Sequence, residues 1–391
     1  MQFRVTACAF ALATLTAAAS GAASAAGLKE MVYSSYAPPK HAMNAYGIAP
    51  LLEELTAAGI PWKLVTGGQM FSAQNTLKGI GNRTADGGGP VVTPYTRSEL
   101  KHANLIGDLM MFGSSGLAMT GAALETFFLG ACPGCIDDFK KNGVTYLSGF
   151  GSGGYALMCN KPVKTVADVA GKKVRTTGAL GRWAKSMGAT PVNMTAGDMV
   201  EAMARGQIDC IMGPMAWLKS YPLEDSVTHI YDYDLGALAG IGLFNINNKV
   251  WEGYDDAQKR RIWAAQPAAI ARTVVLGYIG DNERSRKVAK ARGIVMSPQD
   301  EAVRVLWAEH KKEDYDAAVK HAAKLQVEAP EKIADAFIAA IAKWNKLVDG
   351  PKLHEKIAAA DADEAKLAEV AKAFEAMLRD EIYAKADPSK L

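Results

Sequence analysis

The chain has 391 residues, of which 49% are hydrophobic and 22% charged, and its formal net charge is +3. This length can hold two domains with sizeable cores, and the composition excludes a disordered or fibrous chain. The small net charge and the lack of a basic run exclude a broad nucleic-acid-binding surface, so any anion must be bound locally.

The first 25 residues have the three parts of a secretory signal peptide. Arg4 precedes the apolar run VTACAFALATLTAAA, and a small-residue stretch ends in ASA at Ala25, near which we expect cleavage. Arg4 is the only charged residue of this segment, so cleavage takes the 44 basic residues to 43 against 41 acidic, a formal charge of +2. No later stretch of the sequence approaches the ~20 apolar residues of a membrane helix.

Cys132, Cys135, Cys159 and Cys210 remain after cleavage. In an oxidising compartment such thiols can pair, and four of them allow three connectivities. We interpret CPGC, from Cys132 to Cys135, as a local disulfide clip in a loop between helices, with a redox-active site as the alternative. Cys159 and Cys210, each on a predicted strand, are either bonded or merely buried, and we favour buried free thiols.

The exported chain begins with alternating strands and helices. A strand in LKEMVYSSY, a helix in AMNAYGIAPLLEELTAAG and a strand in IPWKLVTGG predict a β-α-β unit, which is typical of a parallel sheet. A helix in SAQNTLKGIGN and a short strand in ADGGGPVVTPYT follow.

The next predicted strands are VTYLSGF and YALMCN. Between them, GFGSGG matches a dinucleotide-binding pattern, but an apolar strand follows it where that site requires a helix. TVADVAGKKVRT predicts a short helix and a strand, and TAGDMVEAMARGQIDCIMGP predicts a helix, a turn and a strand. A strand in AGIGLFNINNKVWE precedes an almost wholly helical remainder. We interpret residues 352–385 as an amphipathic helix packed on the body, the alternative being a coiled coil or partner helix.

This order predicts an α/β fold with two lobes, a hinge and a helical C-terminal region. We assign residues 26–152 and 241–280 to lobe I and residues 153–240 to lobe II. Residues 281–391 are assigned to a helical region that packs across the lobes and a C-terminal extension. The sequence contains no H-E-x-x-H or G-x-S-x-G motif and no close cluster of metal ligands. We therefore expect a receptor that closes over a small ligand, with a secreted enzyme as the alternative.

Arg175 lies in GKKVRTTGAL, where a predicted strand ends and a helix begins. A guanidinium offers paired donors to a carboxylate, and the start of a helix favours the same negative charge. The pattern therefore predicts a carboxylate site at Arg175. The alternative is a structural salt bridge to an acidic neighbour such as Asp168 or Asp209.

Residues 160–210 contain, in this order, KPVKTVADVAGKKVR, SMGATPVNM and DMVEAMARGQIDC. These motifs resemble three successive stretches of the solute-binding component of tripartite ATP-independent periplasmic (TRAP) transporters, and the spacing from Pro191 to Asp209 agrees without a gap. The resemblance implies a periplasmic binding protein fold, a periplasmic location and no enzymatic activity or cofactor. It also implies a small organic acid ligand, which is delivered to the membrane subunits of a transporter.

By this resemblance, Arg175 corresponds to the arginine that binds the ligand carboxylate. The second arginine and the asparagine of sialic-acid and dicarboxylate receptors fall at Gly154 and Gly213, so we expect a monocarboxylate. GGY and MGP are similar to stretches in receptors for 2-oxo and 2-hydroxy acids. Cys210 and Ile211 replace the acidic residue and tryptophan of those receptors, so we do not expect metal-assisted binding.

The other predicted ligand contacts are aromatic and amide side chains, because an enclosed small ligand needs apolar walls and few polar anchors. The candidates are Tyr36 and Tyr95 from the first lobe and Tyr155, Trp217 and Asn193 from the second.

Overall fold

The protein is described by a computed structural model that covers residues 28–233 and 235–391. The predicted signal peptide, residues 1–25, lies outside the described residues. The strands of the described residues are β1 (Met31–Ser35), β2 (Trp62–Val65), β3 (Gly87–Gly89), β4 (Val144–Phe150), β5 (Tyr155–Cys159), β6 (Lys173–Thr176), β7 (Thr190–Asn193), β8 (Cys210–Pro214), β9 (His229–Asp232), β10 (Ile241–Asn247) and β11 (Val295–Pro298).

Helices flank the strands and make up most of the C-terminal third. The α-helices of the described residues are α1 (Ala49–Ala57), α2 (Thr76–Gly81), α3 (Lys101–Asp108), α4 (Gly116–Phe128), α5 (Pro133–Lys141), α6 (Leu180–Ser186), α7 (Met199–Ala204), α8 (Trp217–Ser220), α9 (Asn248–Glu252), α10 (Asp256–Ala271), α11 (Gly280–Ala291), α12 (Glu301–Lys324), α13 (Pro330–Asp349), α14 (Leu353–Ala360) and α15 (Glu364–Leu378). Wider helical turns at Met43–Ile48 and Arg272–Ile279 precede α1 and join α10 to α11.

The strands form two sheets. The first has the order β2-β1-β3-β10-β4, with β1, β2 and β3 parallel and β10 antiparallel to its neighbours. The second has the order β11-β9-β5-β8-β6-β7 and mixes parallel and antiparallel pairs. The described chain crosses between the sheets after β4, before β10 and before β11. The predicted α/β fold with two lobes is therefore confirmed.

β3 consists of three glycines because its backbone runs very close to its neighbours. A Cβ atom at Gly88 would lie 2.8 Å from the carbonyl oxygen of Ser34, and one at Gly89 would lie 2.5 Å from the Tyr33 hydroxyl. Real Cβ atoms do not approach other atoms this closely, so only glycine fits between β1 and β10. The strand leads directly into the loop that carries Tyr95.

Three strands were not predicted: β7, which pairs with β6 at one edge of the second sheet, and the two strands at its other edge. β9 and β11 pair with each other at one edge of the second sheet, and each has only four residues. β11 lies inside the stretch that we expected to be helical, so residues 295–298 of that stretch belong to the second sheet instead. A strand this short carries no readable alternation of polar and apolar residues. The predicted boundaries of the lobes stay a prediction.

The length of one apolar helix was underestimated from the sequence. The continuous helical segment Asp256–Ala291 is long and apolar enough to cross a membrane by length and hydropathy, contrary to the expectation from the sequence. However, 78% of its most apolar window is buried inside the protein. It is therefore a core helix, and it packs against α15 and the first sheet.

The C-terminal stretch packs on the body as predicted. Residues 352–385 contain two α-helices, α14 and α15, rather than one; α14 lies against α13, and α15 lies against α10. Leu367, Val370, Phe374 and Leu378 recur every three to four residues on α15 and are buried. This spacing gives one apolar face that is covered by the rest of the described protein.

Both cysteine pairs are bonded. The Cys132–Cys135 disulfide is present, but it lies at the start of α5 and not in a loop, since Cys132 directly precedes the first turn. Cys159 and Cys210 also form a disulfide, so the prediction of free thiols was wrong. The two residues face each other across the antiparallel β5–β8 pair, with Cα atoms 4.0 Å apart. The strand register that brings them together is not visible in the sequence.

Candidate ligand-binding site

A cavity of about 40 Å³ lies between the two sheets and is lined mainly by aromatic side chains. It includes five of the six predicted ligand contacts, namely Tyr36, Tyr95, Tyr155, Arg175 and Trp217. The remaining lining residues are His41, Pro90, Val92, Thr177, Ala196, Tyr221, Leu238, Ile241 and Tyr278.

The predicted residues meet because each lies near the end of a strand. Tyr36 directly follows β1, and Tyr95 closes a helical turn in the loop after β3. Tyr155 begins β5, Arg175 lies near the end of β6, and Trp217 begins α8 just after β8. Strands of both sheets therefore direct their ends at one cavity, the usual place for a ligand in open α/β folds.

Asn193 is the predicted contact that does not line the cavity. It is the last residue of β7, opposite Thr176 of β6, and it is exposed. Side chains alternate between the faces of a strand, and the neighbouring Val192 packs against the apolar core of the second sheet. Asn193 therefore points away from that core, and the sequence prediction placed it on the wrong face.

Arg175 is a buried cation whose partners are all uncharged. Its side chain is 1% exposed. Nε donates to the Met194 carbonyl at 3.1 Å, Nη1 to the Met212 carbonyl at 3.4 Å, and Nη2 to the Tyr95 hydroxyl at 3.1 Å. Its guanidinium carbon lies 5.1 Å from the centre of the Trp217 ring. Because a buried charge without a counter-ion is costly, this arrangement favours the entry of an anion.

The carboxylates proposed as structural partners of Arg175 are engaged elsewhere. Asp168 accepts backbone N–H groups of Lys164 and Thr165 at 2.9 and 3.0 Å. Asp209 pairs with the Lys161 ammonium at 2.6 Å and accepts the backbone N–H of Lys173 at 2.8 Å. No carboxylate of the described residues lies within 4.0 Å of the Arg175 guanidinium. The salt-bridge alternative is therefore not supported.

Larger cavities, of about 310 to 570 Å³, open elsewhere on the surface of the described residues. Arginines line three of them, and each of these arginines is paired with a carboxylate: Arg284 with Asp281, Arg286 with Asp232, and Arg304 with Glu301. An arginine that is already paired with a carboxylate attracts a further anion only weakly. Among the arginines that line these cavities and the small one, Arg175 alone has no carboxylate partner within the described residues, so the small cavity is the better candidate in spite of its volume.

Gly213 makes room for one wall of the cavity. A Cβ atom at Gly213 would lie 2.4 Å from the Trp217 ring, so any larger side chain would displace the indole. The ring occupies this space and stacks against the Arg175 guanidinium. The chain thus has an aromatic surface at the position where dicarboxylate receptors, by the resemblance, have an asparagine.

Three aromatic lining residues were missed from the sequence. His41 follows β1, as Tyr36 does, and the same rule of strand ends could have found it. Tyr221 lies four residues after Trp217, a spacing that would have placed both on one helical face. Tyr278 lies inside a long apolar helical segment, where nothing distinguishes it from a core residue.

The uncharged groups around Arg175 stay uncharged at neutral pH. Burial raises the pKa of Tyr155 to about 12, although the nearby Arg175 opposes this shift. Burial likewise raises the pKa values of Tyr221 and Tyr278 above the usual range. Burial lowers the pKa of His41 to about 4. Arg175 is therefore the one lining residue that is charged at pH 7.

The chain matches a known family over most of its length. The family described as bacterial extracellular solute-binding protein, family 7, matches residues 47–328. The chain belongs to this family. It is a solute-binding protein of the TRAP type, as the resemblance of residues 160–210 predicted. A search of curated proteins finds no match to this chain.

Solved structures of TRAP solute-binding proteins share the fold of this family 7 protein. A marine metagenome protein from an unidentified microbe, specific for aromatic acids and bound to metahydroxyphenylacetate, is 19% identical, with a TM-score of 0.71 over 81% of this chain and 99% of that chain. A Bordetella bronchiseptica protein with bound mandelate is 21% identical, with a TM-score of 0.65 over 81% and 99%. A Desulfovibrio salexigens protein with bound orotic acid is 15% identical, with a TM-score of 0.69 over 81% and 99%. These similarities establish the fold of the chain.

Among residues 28–233 and 235–391, no group of three or more histidine, cysteine, aspartate or glutamate side chains is arranged to hold a metal ion.

Proposed function

We propose that this protein binds a small organic monocarboxylate in the cavity at Arg175 and delivers it to the membrane subunits of a TRAP transporter. The observation that carries the proposal is the buried Arg175 guanidinium, which faces a cavity between the lobes and has only uncharged partners. A ligand carboxylate would supply the missing counter-charge in a planar, paired geometry.

The charge of the cavity supports one carboxylate per ligand. Arg175 is the only permanently charged lining residue, and the tyrosines and Trp217 provide an apolar wall around it. A second carboxylate would have to be desolvated without a cation beside it. A monocarboxylate with an uncharged body therefore fits this cavity better than a dicarboxylate.

The volume of the cavity supports a small ligand. About 40 Å³ is well below the roughly 150 Å³ of an apolar cavity that holds benzene. In the described conformation the site admits a molecule of a few heavy atoms, and a bulkier acid requires the lobes to move apart. Metahydroxyphenylacetate, mandelate and orotic acid, the ligands of the three solved relatives, are all carboxylic acids, which supports the ligand class but not its size.

A thermal-shift screen of organic acids tests the proposal. We expect the melting temperature to rise with one or more monocarboxylates, and calorimetry to give one site per chain. Mass spectrometry of the released ligand should return it chemically unchanged, as a receptor requires. A protein that binds no acid of the screen, or that prefers dicarboxylates, contradicts the proposal.

One observation favours an enzyme as the second candidate. His354 Nε2 lies 2.8 Å from Ser115 Oγ, and His354 Nδ1 lies 3.0 Å from Asp349 Oδ1, the connectivity of a serine hydrolase triad. However, the His354 and Asp349 side chains are 44% and 65% exposed, and Ser115 Oγ caps α4 by accepting the Ala118 N–H. A solvated pair gives the imidazole little electrostatic support, so we prefer the receptor.

Hydrolysis of p-nitrophenyl acetate separates the two candidates. We expect the protein to release nitrophenolate no faster than Ser115→Asn, a variant that retains a helix-capping side chain but has no nucleophilic hydroxyl. A rate that is well above background and is lost in Ser115→Asn would favour the enzyme.

A further inference from the structure

The cavity presents the ligand with more than one kind of polar group. Arg175, Tyr155 and Trp217 come from the second sheet and its helix α8. Tyr36 and His41 come from the first sheet, since both follow β1. A ligand held only by its carboxylate would leave the Tyr36 hydroxyl and the His41 Nε2 atom without a hydrogen-bond partner in the part of the chain that the structure describes.

His41 is the best defined of these first-lobe groups. Its side chain is 4% exposed, and its ring stands edge-on to the rings of Tyr221 and Tyr278, with centroids 6.1 and 5.9 Å apart. Nδ1 accepts the backbone N–H of Met43 at 3.3 Å, the one hydrogen bond that the ring makes within the described residues. The packing fixes the plane of the ring, and the hydrogen bond fixes its orientation.

The backbone contact also decides which ring nitrogen carries the proton. A neutral imidazole has one N–H donor and one acceptor, and Nδ1 is the acceptor here. The proton is therefore on Nε2, which can only donate. The tyrosine hydroxyls of the cavity can donate or accept a hydrogen bond. They therefore discriminate less than His41 Nε2 between ligand groups that donate and ligand groups that accept.

We propose that the Nε2–H of His41 donates a hydrogen bond to an uncharged oxygen of the ligand, a hydroxyl or keto group, while Arg175 binds the ligand carboxylate from the opposite lobe. This inference rests on the proposed function and narrows its ligand class to short hydroxy or oxo acids. The small volume of about 40 Å³ requires that the oxygen and the carboxylate be only a few bonds apart.

The surroundings of His41 keep its imidazole ring neutral, so the ring can act only as an uncharged hydrogen-bond donor at Nε2. Tyr36, Tyr221 and Tyr278 share the cavity with His41, and no aspartate or glutamate that could stabilise an imidazolium is among the lining residues. Burial disfavours the charged ring further. The contact therefore selects for an acceptor oxygen and does not add a second site for a negative charge.

The two contacts would also link the lobes. A ligand that has both groups contacts the second lobe through Arg175 and the first lobe through His41. An acid without the extra oxygen would leave the His41 N–H desolvated and unpaired, which a buried donor tolerates poorly. We therefore expect the wild-type protein to prefer the oxygenated member of a matched pair of acids by about tenfold.

Calorimetry with matched acids tests the inference. The pairs are lactate and pyruvate against propionate, and 3-hydroxybutyrate against butyrate. His41→Phe retains an aromatic ring but removes the donor, and it should bring the two members of the preferred pair to within about twofold, through weaker binding of the oxygenated acid. His41→Gln returns an N–H group near the position of Nε2 and should restore part of the preference.

Tyr254→Phe is the matched control, because it removes the hydroxyl of a buried tyrosine that does not line the cavity, and it should retain the tenfold preference. Arg175→Met should weaken both members of a pair alike. A folded His41→Phe protein that keeps the wild-type preference overturns the inference, as does a wild-type protein that binds acids without any preference. Failure of the wild-type protein to bind any acid of the panel contradicts the proposed function itself.

Discussion

Arg175 Nη2 donates a hydrogen bond to the Tyr95 hydroxyl, 3.1 Å away. Arg175 belongs to β6 of the second sheet, whereas Tyr95 lies in the loop that follows β3 of the first. The contact therefore crosses the cavity between the lobes. Since a phenol hydroxyl is a weaker partner for a guanidinium than a carboxylate, an acid that enters the cavity can replace this contact with a stronger one.

Replacement of Arg175 should remove most of the binding affinity. Arg175→Met leaves a ligand carboxylate desolvated without a cation, at a cost of roughly 3 to 5 kcal/mol, or at least two orders of magnitude in Kd. Arg175→Lys keeps the charge but loses the planar fork, so its affinity should lie between those of the wild type and Arg175→Met. Isothermal titration calorimetry measures both.

Arg205→Met is a suitable control for Arg175→Met, because it removes the same charge from an exposed site of the second lobe. It should bind as the wild type does. Affinity of folded Arg175→Met within threefold of the wild type would show that this arginine is not the anchor of the ligand.

Enlargement of Gly213 should displace Trp217 from Arg175. A Cβ atom there would lie 2.4 Å from the indole, and such overpacking costs about 1 to 3 kcal/mol. We expect Gly213→Ala to weaken ligand binding by tenfold or more and to change the tryptophan fluorescence. Gly197→Ala is the control, since a Cβ at Gly197 meets nothing closer than 3.7 Å. Equal affinity of the two variants would contradict this role of Trp217.

The position of Arg175 could be predicted because strand ends and turn residues leave a local signal. Tyr36, Tyr95, Tyr155 and Trp217 share that signal, and the fold brings them to one cavity. Whether a side chain faces the cavity depends on strand register, which local sequence does not encode. For this reason Asn193 was placed on the wrong face.

The same argument explains the missed disulfide and the missed lining residues. Cys159 and Cys210 are bonded because β5 and β8 pair in one particular register over a sequence separation of 51 residues. Tyr278 reaches the cavity through the packing of a core helix, which is a tertiary property. Local patterns thus predicted most of the elements and their order, whereas the short edge strands and the contacts between distant elements required the structure.

Removal of the Cys159–Cys210 disulfide should destabilise the fold strongly. A bond that closes a loop of this length restricts the unfolded chain and contributes about 4 kcal/mol. The double variant Cys159→Ala/Cys210→Ala should lose about that much in denaturant unfolding. The corresponding variant of Cys132 and Cys135, whose separation is 3, should lose about 2 kcal/mol. Equal losses would contradict the dependence on loop length.

Replacement of Arg182 should destabilise the protein, because this residue contacts two buried carboxylates. Its guanidinium pairs with Asp314 of α12 and lies 3.7 Å from Asp108 of α3, although Arg182 itself is on α6 beside the second sheet. Asp314 is fully buried, and burial raises its pKa to about 6 in spite of the opposing effect of Arg182. Arg182→Met removes the nearest cation and should cost about 3 kcal/mol of stability at pH 7.

The loss in Arg182→Met should depend on pH. Below about pH 6 the Asp314 carboxyl takes up a proton and no longer needs a cation, so we expect a smaller loss at pH 5 than at pH 7. Arg304→Met removes a half-exposed arginine of the same helix and should change stability little at either pH. A loss that is the same at both values of pH would show that Asp314 does not respond to Arg182.

His41 should make the stability of the protein sensitive to acid. Burial lowers its pKa from 6.5 to about 4 in the folded state, so the unfolded chain binds a proton in this window while the folded protein does not. The depressed value means that the full contribution of His41 is present above pH 6.5 and is lost as the pH falls toward 4, by about 3 kcal/mol in total. His41→Gln lacks the titrating ring, so the free energy of unfolding of the wild type should fall relative to that of this variant by about that amount between pH 7 and pH 4.

Tyr221→Phe is the control for this pH dependence. It changes a side chain of the same cavity, but Tyr221 does not titrate between pH 4 and pH 7 because burial raises its pKa, so the stability of this variant should follow that of the wild type. Parallel curves for the wild type and His41→Gln, measured by denaturant unfolding across this range, would contradict a buried, neutral His41 and with it the donor on which the ligand contact depends.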